Sequence, residues 1–301
     1  MEAAALEQTL REHPDDLGTW LVYGDWLLDQ DDVRGALIQL EHRHARARVA
    51  ERPALRSEID ALVKQHQKRW RKALPKGVTA KAWRYGFVTA VEVAWSEDAP
   101  TLIEAALAER FVTALRITTP DKDEGDDDDD DDDDGYDENG EPIRPAPLEI
   151  GALGKLDLSR LRELDLSYVS LGAKGAKTLA SMGSLGGLEA LDLRYCGIGN
   201  KGLAALAAAP LAASVRRLHL QRNELTAAGA AALGQFARLI ELDLRYNEIG
   251  AKGVQALLAA PFLGSLRRLG LYRTDVSDAG VKKLAGATGL APTLRSYWRS
   301  L

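Results

Sequence analysis

The chain has 301 residues, of which 46% are hydrophobic and 28% charged, enough to form a folded core in one large or two modest domains. A single cysteine excludes a disulfide framework and any multi-cysteine zinc or iron–sulfur site. The longest apolar runs fall short of a membrane span, and the start, Met1 to Glu7, has no basic, apolar leader, so a cytoplasmic, reducing location is expected.

Residues 1–76 read as helical. Leu6 and Leu10 share a face, Pro14 ends that helix, and Trp20, Tyr23, Trp26 and Leu27 recur at three- and four-residue spacing on a second. Asp31 to Gly35 is a turn before Leu37, Ile38 and Leu40. Pro53 opens a fourth helix with Leu55, Ile59, Leu62, Val63, His66, Trp70 and Leu74 on one stripe, closed by Pro75-Lys76-Gly77. Between Arg34 and Lys76 stand twelve bases against four acids. A helical bundle of this size is marginal alone.

Residues 77–120 carry two faint units, Val88-x-x-Val91-x-Val93 and Val112-x-x-Leu115-x-Ile117, 24 residues apart. Residues 121–147 interrupt the next. From Asp121 to Glu141 there are fifteen acids and one base, including nine consecutive aspartates, Asp126 to Asp134. Such a run repels itself and is expected to be disordered. The net charge of −6 therefore hides an excess of bases in the rest of the chain.

Residues 148–301 hold the strongest signal, an internal repeat. Its units begin at Leu161, Leu188, Val215, Leu239 and Leu266, each reading apolar-x-x-Leu-x-Leu, with separations of 27, 27, 24 and 27 residues. Each continues with an apolar residue, a Gly and a Leu, as in Ile198, Gly202 and Leu206. The alternation is a short strand and the Gly/Ala-rich part a helix. Neither can bury its apolar side alone, so stacked neighbours form a curved solenoid. At the end, Leu294-x-x-Tyr297 reads as a broken final repeat, with Trp298 and Leu301 sealing the last apolar edge.

These units resemble ribonuclease-inhibitor-type leucine-rich repeats. The Asn/Cys position of that pattern is filled by Val169, Cys196, Asn223, Asn247 and Thr274. Trp20 to Leu27, Asp32 to Leu40 and Trp83-Arg84-Tyr85-Gly86-Phe87-Val88 resemble the repeat-companion domain of myxobacterial and planctomycete-type proteins. The resemblance implies an α/β fold: a horseshoe with parallel strands on its concave face and helices on its convex face, preceded by a small helical domain. It also implies a bacterial interaction protein.

No catalytic motif stands out. Gly197-x-Gly199-x-x-Gly202 fits a dinucleotide fingerprint, but the same turn recurs in other units, and His219 stands where a ribose-binding acid belongs. Asp130-x-Asp132-x-Asp134-Gly135 with Glu141 fits a calcium loop, a match that nine aspartates make nearly free. Cys196 occupies a ladder position and reads as structural. His42 and His44, two apart, point to opposite sides of a helix. No cofactor or metal is expected.

The inner leucines of each strand face the core, so the residues between and after them form columns on the concave side. One column is Asp165, Asp192, His219, Asp243 and Gly270; the next is Ser167, Arg194, Gln221, Arg245 and Tyr272; the outer is Tyr168, Tyr195, Arg222, Tyr246 and Arg273, with Trp95 aligned to it. Tyr, Trp and Arg dominate interface hot spots. The expected function is a non-enzymatic scaffold holding a protein or peptide there. The alternative for these columns is Asp–Arg pairing across strands that only keeps the face soluble. Two other classes compete. One is polyanion binding through the basic helix, with Trp70 among Arg69, Arg71 and Lys72, masked or mimicked by the aspartates. The other is a GTPase-activating regulator supplying Arg194, Arg222 or Arg245, an idea resting on fold analogy.

Overall fold

A computed structural model describes residues 3–119 and 150–300. The expected acidic insertion at 121–147, with its calcium-loop pattern, and Leu301 lie outside the described residues. The chain forms two compact units: Met1–Val93 with Thr101–Leu115, and Ala94–Pro100 with Arg116–Leu301.

The first unit opens with α1 (Ala3–Glu12), α2 (Leu17–Asp29), α3 (Arg34–Arg46) and α4 (Arg52–Arg71). Asp16 caps α2, its carboxylate accepting from the Gly18 and Thr19 amides. Helices α2 and α3 cross at Gly24 and Gly35. A Cβ on Gly35 would collide with the Gly24 carbonyl, so that approach needs glycine. The core joins Leu6 and Leu10 to Trp20, Tyr23, Leu27 and Ile38, with Phe87 and Phe111 completing it. A second cluster packs Leu37, Ile59 and Trp70.

Strand β1 (Val78–Arg84), which carries no clear alternation, pairs antiparallel with β2 (Phe87–Ala94). Tyr85 (φ 50°) and Gly86 (φ 76°) join them in a tight turn between the paired Arg84 and Phe87, the two-residue geometry in which both central residues adopt positive φ. Helix α5 (Ala99–Leu107) and strand β3 (Ala114–Thr118) follow. Val88, Val91 and Val93, and Val112, Leu115 and Ile117, are buried, as their spacing predicts.

In the second unit five short parallel strands run in chain order: β4 (Glu163–Asp165), β5 (Ala190–Asp192), β6 (Arg217–His219), β7 (Glu241–Asp243) and β8 (Arg268–Gly270). They alternate with α6 (Gly172–Ala180), α7 (Gly199–Ala207), α8 (Ala227–Ala232), α9 (Gly250–Leu258) and α10 (Arg273–Gly286). Strand pairs with strand and helix packs on helix in sequence, the layering of a leucine-rich-repeat solenoid. The pattern leucines Leu164, Leu191, Leu218 and Leu242 are at most 1% exposed, whereas Leu269 in the fifth unit is half-buried. Each of the buried leucines contributes roughly 1.5–3 kcal/mol of burial. Gly202 answers the dinucleotide question: a Cβ there would press on Ala176 at 2.9 Å and Ile198 at 3.0 Å, so the glycine lets α7 meet α6.

A ladder of buried side chains ties the turns together. Asn223 donates to the Leu193 carbonyl (2.6 Å) and accepts from the Ile198 amide (3.2 Å); Asn247 donates to Leu220 O (2.9 Å) and accepts from the Asn223 and Leu225 amides. Cys196 Sγ lies 3.0 Å from Leu166 O in the same role. The fifth unit departs from the sequence expectation. Thr274 is exposed within α10, and the rung is taken by buried Asp275, which accepts from the Tyr272 amide at 2.6 Å. The final segment is also corrected: Leu294 and Tyr297 lie in a helix, α11 (Pro292–Arg299), not in a broken repeat strand. Its Trp298 is 1% exposed and packs edge-on to Tyr297. Among the described residues no helix is long and apolar enough to cross a membrane.

Candidate functional site

Strands β4 to β7 hide their central leucines and turn the alternate residues outward, so the face is built from columns in register. The first column, Glu163, Ala190, Arg217, Glu241 and Arg268, is absent from the sequence reading. The alternation that places Asp165 outward places Glu163 there too, so the signal was present. Arg217 reaches past the small Ala190 to pair with Glu163 two strands away, and Arg268 lies 3.5 Å from Glu241.

In the next column, aspartate serves its own strand. Asp165, Asp192 and Asp243 accept from the amides of Ser167 (2.8 Å), Arg194 (3.1 Å) and Arg245 (3.1 Å). The Arg194 and Arg245 guanidiniums fold back onto the same carboxylates, at 2.9 and 2.6 Å. These pairs run within a strand, not across strands as the solubility argument supposes. Arg116 stands 3.6 Å from Asp165. Gly270 ends the column because a Cβ there would strike the Asp243 carboxylate.

His219 breaks the pattern. Its Nδ1 lies 3.2 Å from Asp192 Oδ2 on β5, and its Nε2 lies 3.2 Å from Glu241 Oε1 on β7. The Asp192 hydrogen bond, aided by Glu241 and opposed by burial, raises the imidazole pKa above its ordinary value. Burial acts against Asp192, but hydrogen bonds from His219 and Arg194 hold its carboxyl below the usual carboxylate range. The two acids grip opposite ring nitrogens, so they do not converge on a shared point. Among the described residues no group of three His, Cys, Asp or Glu side chains fits a metal ion.

The third column divides. Arg194, Arg245 and Tyr272 reach outward, but Ser167 and Gln221 are 3% and 6% exposed. Both were expected on the surface. Arginine and tyrosine escape from this position, whereas serine and glutamine do not.

The outer column is the most unusual. Tyr168, Tyr195, Arg222 and Tyr246 have φ of 64°, 57°, 50° and 61°. Four successive units thus place a bulky residue in the left-handed region, where side chains other than those of Gly, Asn and Asp are uncommon. Tyr168 and Tyr246 are 55% and 53% exposed. The rings form two groups. Tyr168 stacks on Tyr195 at 4.7 Å with the Arg222 guanidinium 5.6 Å over the Tyr195 ring, and Tyr246 meets Tyr272 edge-on at 5.1 Å. Arg245 lies 5.7 Å over Tyr272. Arg273 stands apart as the first residue of α10, paired with Asp278 at 2.7 Å. Trp95 is half-buried and shares no ring contact with these tyrosines.

The other candidates are structural in this geometry. Cys196 is 1% exposed, and burial pushes its thiol pKa up, away from nucleophilic character. His66 stacks on Trp70 at 5.9 Å. Trp70, which the sequence places within the basic stretch, is 8% exposed and packs on Leu37 and Ile59. Of the arginines offered for charge donation to phosphate, Arg194 and Arg245 are already neutralised by aspartate.

Residues 188–207, 212–234 and 239–258 match the Leucine Rich repeat family. The chain carries such repeats across 188–258, with strands β5 to β7 and the outer-column residues Tyr195, Arg222 and Tyr246 inside the matched region. No curated protein matches the chain.

Proposed function

We propose that the outward strand face of the second unit is a non-enzymatic capture surface for a protein or peptide, with Tyr168, Tyr195, Arg222, Tyr246 and Tyr272 as its contact row. Leucine-rich repeats generally mediate protein–protein interaction, which sets the class. The observation that carries the reading is the outer column. Each left-handed non-glycine residue costs about 1–2 kcal/mol, and an exposed aromatic gains little from solvent. A face selected only for solubility would place Gly or Asn there. Backbone strain retained at equivalent positions of successive units is characteristic of functional sites.

The surrounding charges are largely satisfied within the face. Arg194, Arg245 and His219 are held by carboxylates, so they fix the shape of the floor and leave the tyrosine row to make contact. Arg222 is held over the Tyr195 ring, which suits a partner offering a carboxylate or carbonyl beside an apolar group. The test is affinity capture with the immobilised full chain from its native cell, comparing wild type with a Tyr195→Gly/Tyr246→Gly double variant. Loss of the captured partner is expected, and an unchanged set of captured proteins would overturn the assignment.

A further inference from the structure

The first unit contains a second kind of site. A cavity of about 340 Å³ opens beside the β1–β2 hairpin, a volume within the range of small-ligand pockets. Its inner lining is Leu10, Trp20 and Phe111, each at most 4% exposed. Trp83 forms part of the wall. Its outer lining carries Arg11 and Arg84 together with Thr89 and Thr113. No acid lines it. The polar groups offered are two guanidiniums, which only donate, and two hydroxyls, which can donate.

Arg84 is placed by strain. The hairpin puts Tyr85, a bulky residue, at φ 50°, and the Tyr85 ring is held edge-on to Trp20 at 4.8 Å. The Arg84 guanidinium then lies 5.6 Å over the Trp20 ring and 5.4 Å over Tyr85. Its ion-pair partner Asp15 sits 2.9 Å away with a side chain 95% exposed, so the pair is open to water and to competition. Arg11 gives one nitrogen to the Arg110 carbonyl at 3.1 Å and stands 3.9 Å from Glu7. Each guanidinium carries five N–H donors, and these contacts engage one terminal nitrogen of each.

We propose that this cavity binds a small amphiphilic carboxylate, an aromatic ring or apolar chain on Leu10, Trp20 and Phe111 with its anionic end on Arg84 and Arg11. The neighbouring cavity of about 350 Å³, lined among others by Asp31, Asp32, Arg34, Arg69 and Trp70, mixes both charges and selects neither. The carboxylate could be a free aromatic acid or the C-terminus of a peptide ending in an apolar residue.

The experiment titrates the full chain, by ligand-observed NMR and calorimetry, with phenylacetate, with phenylacetamide, and with a tripeptide ending in a free phenylalanine carboxylate. Saturable binding of at least one carboxylate is expected, with the neutral amide weaker by about tenfold or more, the factor lost with a charge-assisted hydrogen bond. Which carboxylate binds more tightly identifies the source. Arg84→Met should weaken the carboxylate by a similar factor, and Arg69→Met, in the neighbouring cavity, should leave it unchanged. The amide comparison on the wild-type chain needs no variant to fold. Failure of both carboxylates to bind, equal binding of the amide, or equal loss in the two variants would each overturn the proposal.

Discussion

If the left-handed backbone of the outer column is real strain, glycine and alanine at one of its positions should reverse their usual order. Tyr168 is the best place to look: φ is 64°, the side chain is 55% exposed, and its amide donates to the Arg194 carbonyl at 2.8 Å. Tyr168→Ala and Tyr168→Gly both lose the ring and its stacking on Tyr195, so that loss cancels in their difference. What remains is backbone. Alanine keeps a left-handed cost of about 1–2 kcal/mol. Glycine escapes it but loses about 0.4–1 kcal/mol through the freer unfolded chain. The glycine variant should therefore be the more stable of the two by roughly 0.5–1 kcal/mol. In a helix or strand interior alanine wins by a similar margin. Parallel urea and thermal melts decide it, with a melting difference of about 1–4 °C expected for a unit of this size. An alanine variant as stable as the glycine variant, or more so, would refute the strain argument and the functional reading built on it.

Three further outcomes follow from the ladder and the charge cluster. Asn223→Ala leaves the Ile198 amide and the Leu193 carbonyl without their buried partner, and should cost about 3 kcal/mol in urea melts; a loss under 1 kcal/mol would show that water replaces the rung. Asp275 has its pKa raised, chiefly by burial. A raised carboxyl favours the folded state at pH below its unfolded value and loses that benefit as pH rises through the folded one, so Asp275→Asn should stabilise the chain at neutral pH, with the gain shrinking toward acid. His219 is also raised. Its contribution is complete below about pH 6.5 and falls as pH climbs through the higher folded value, so His219→Gln should flatten the wild type's decline in stability over that interval; identical pH–stability curves would contradict the Asp192–Glu241 grip.

The parts of the molecule that repeat were legible because repetition exposes the rule. Five copies of one leucine spacing place the strands, the turn rungs and the tyrosine row without any three-dimensional information. What escaped the sequence are the departures. Ser167 and Arg194 occupy equivalent positions, yet one is buried and the other reaches out, a difference of side-chain length that a column alignment does not weigh. Thr274 stood in the expected rung, but α10 begins early in the last unit and moves the role to Asp275. The aspartates, set on the outward face by alternation, also close their own turns, an i to i+2 bond that no spacing motif flags. Strand β1 was missed because Lys81 and Arg84 interrupt its alternation and its pairing is bulged. The pocket beside it could not be foreseen, since Leu10, Trp20, Trp83 and Phe111 come together only in the folded unit.

A stack whose members grip only their neighbours opens from its end, one layer at a time, like a zipper. The Arg217 side chain, passing over Ala190 to Glu163, adds a stitch that skips a layer. Exposed as it is, the stitch carries little energy, but it changes the mechanics: β4 cannot part from β5 without releasing a tooth anchored two layers deeper. The methyl group at Ala190 thus governs how far along the stack a pull on β4 is felt, and a larger side chain there would turn a shared load back into a sequential one.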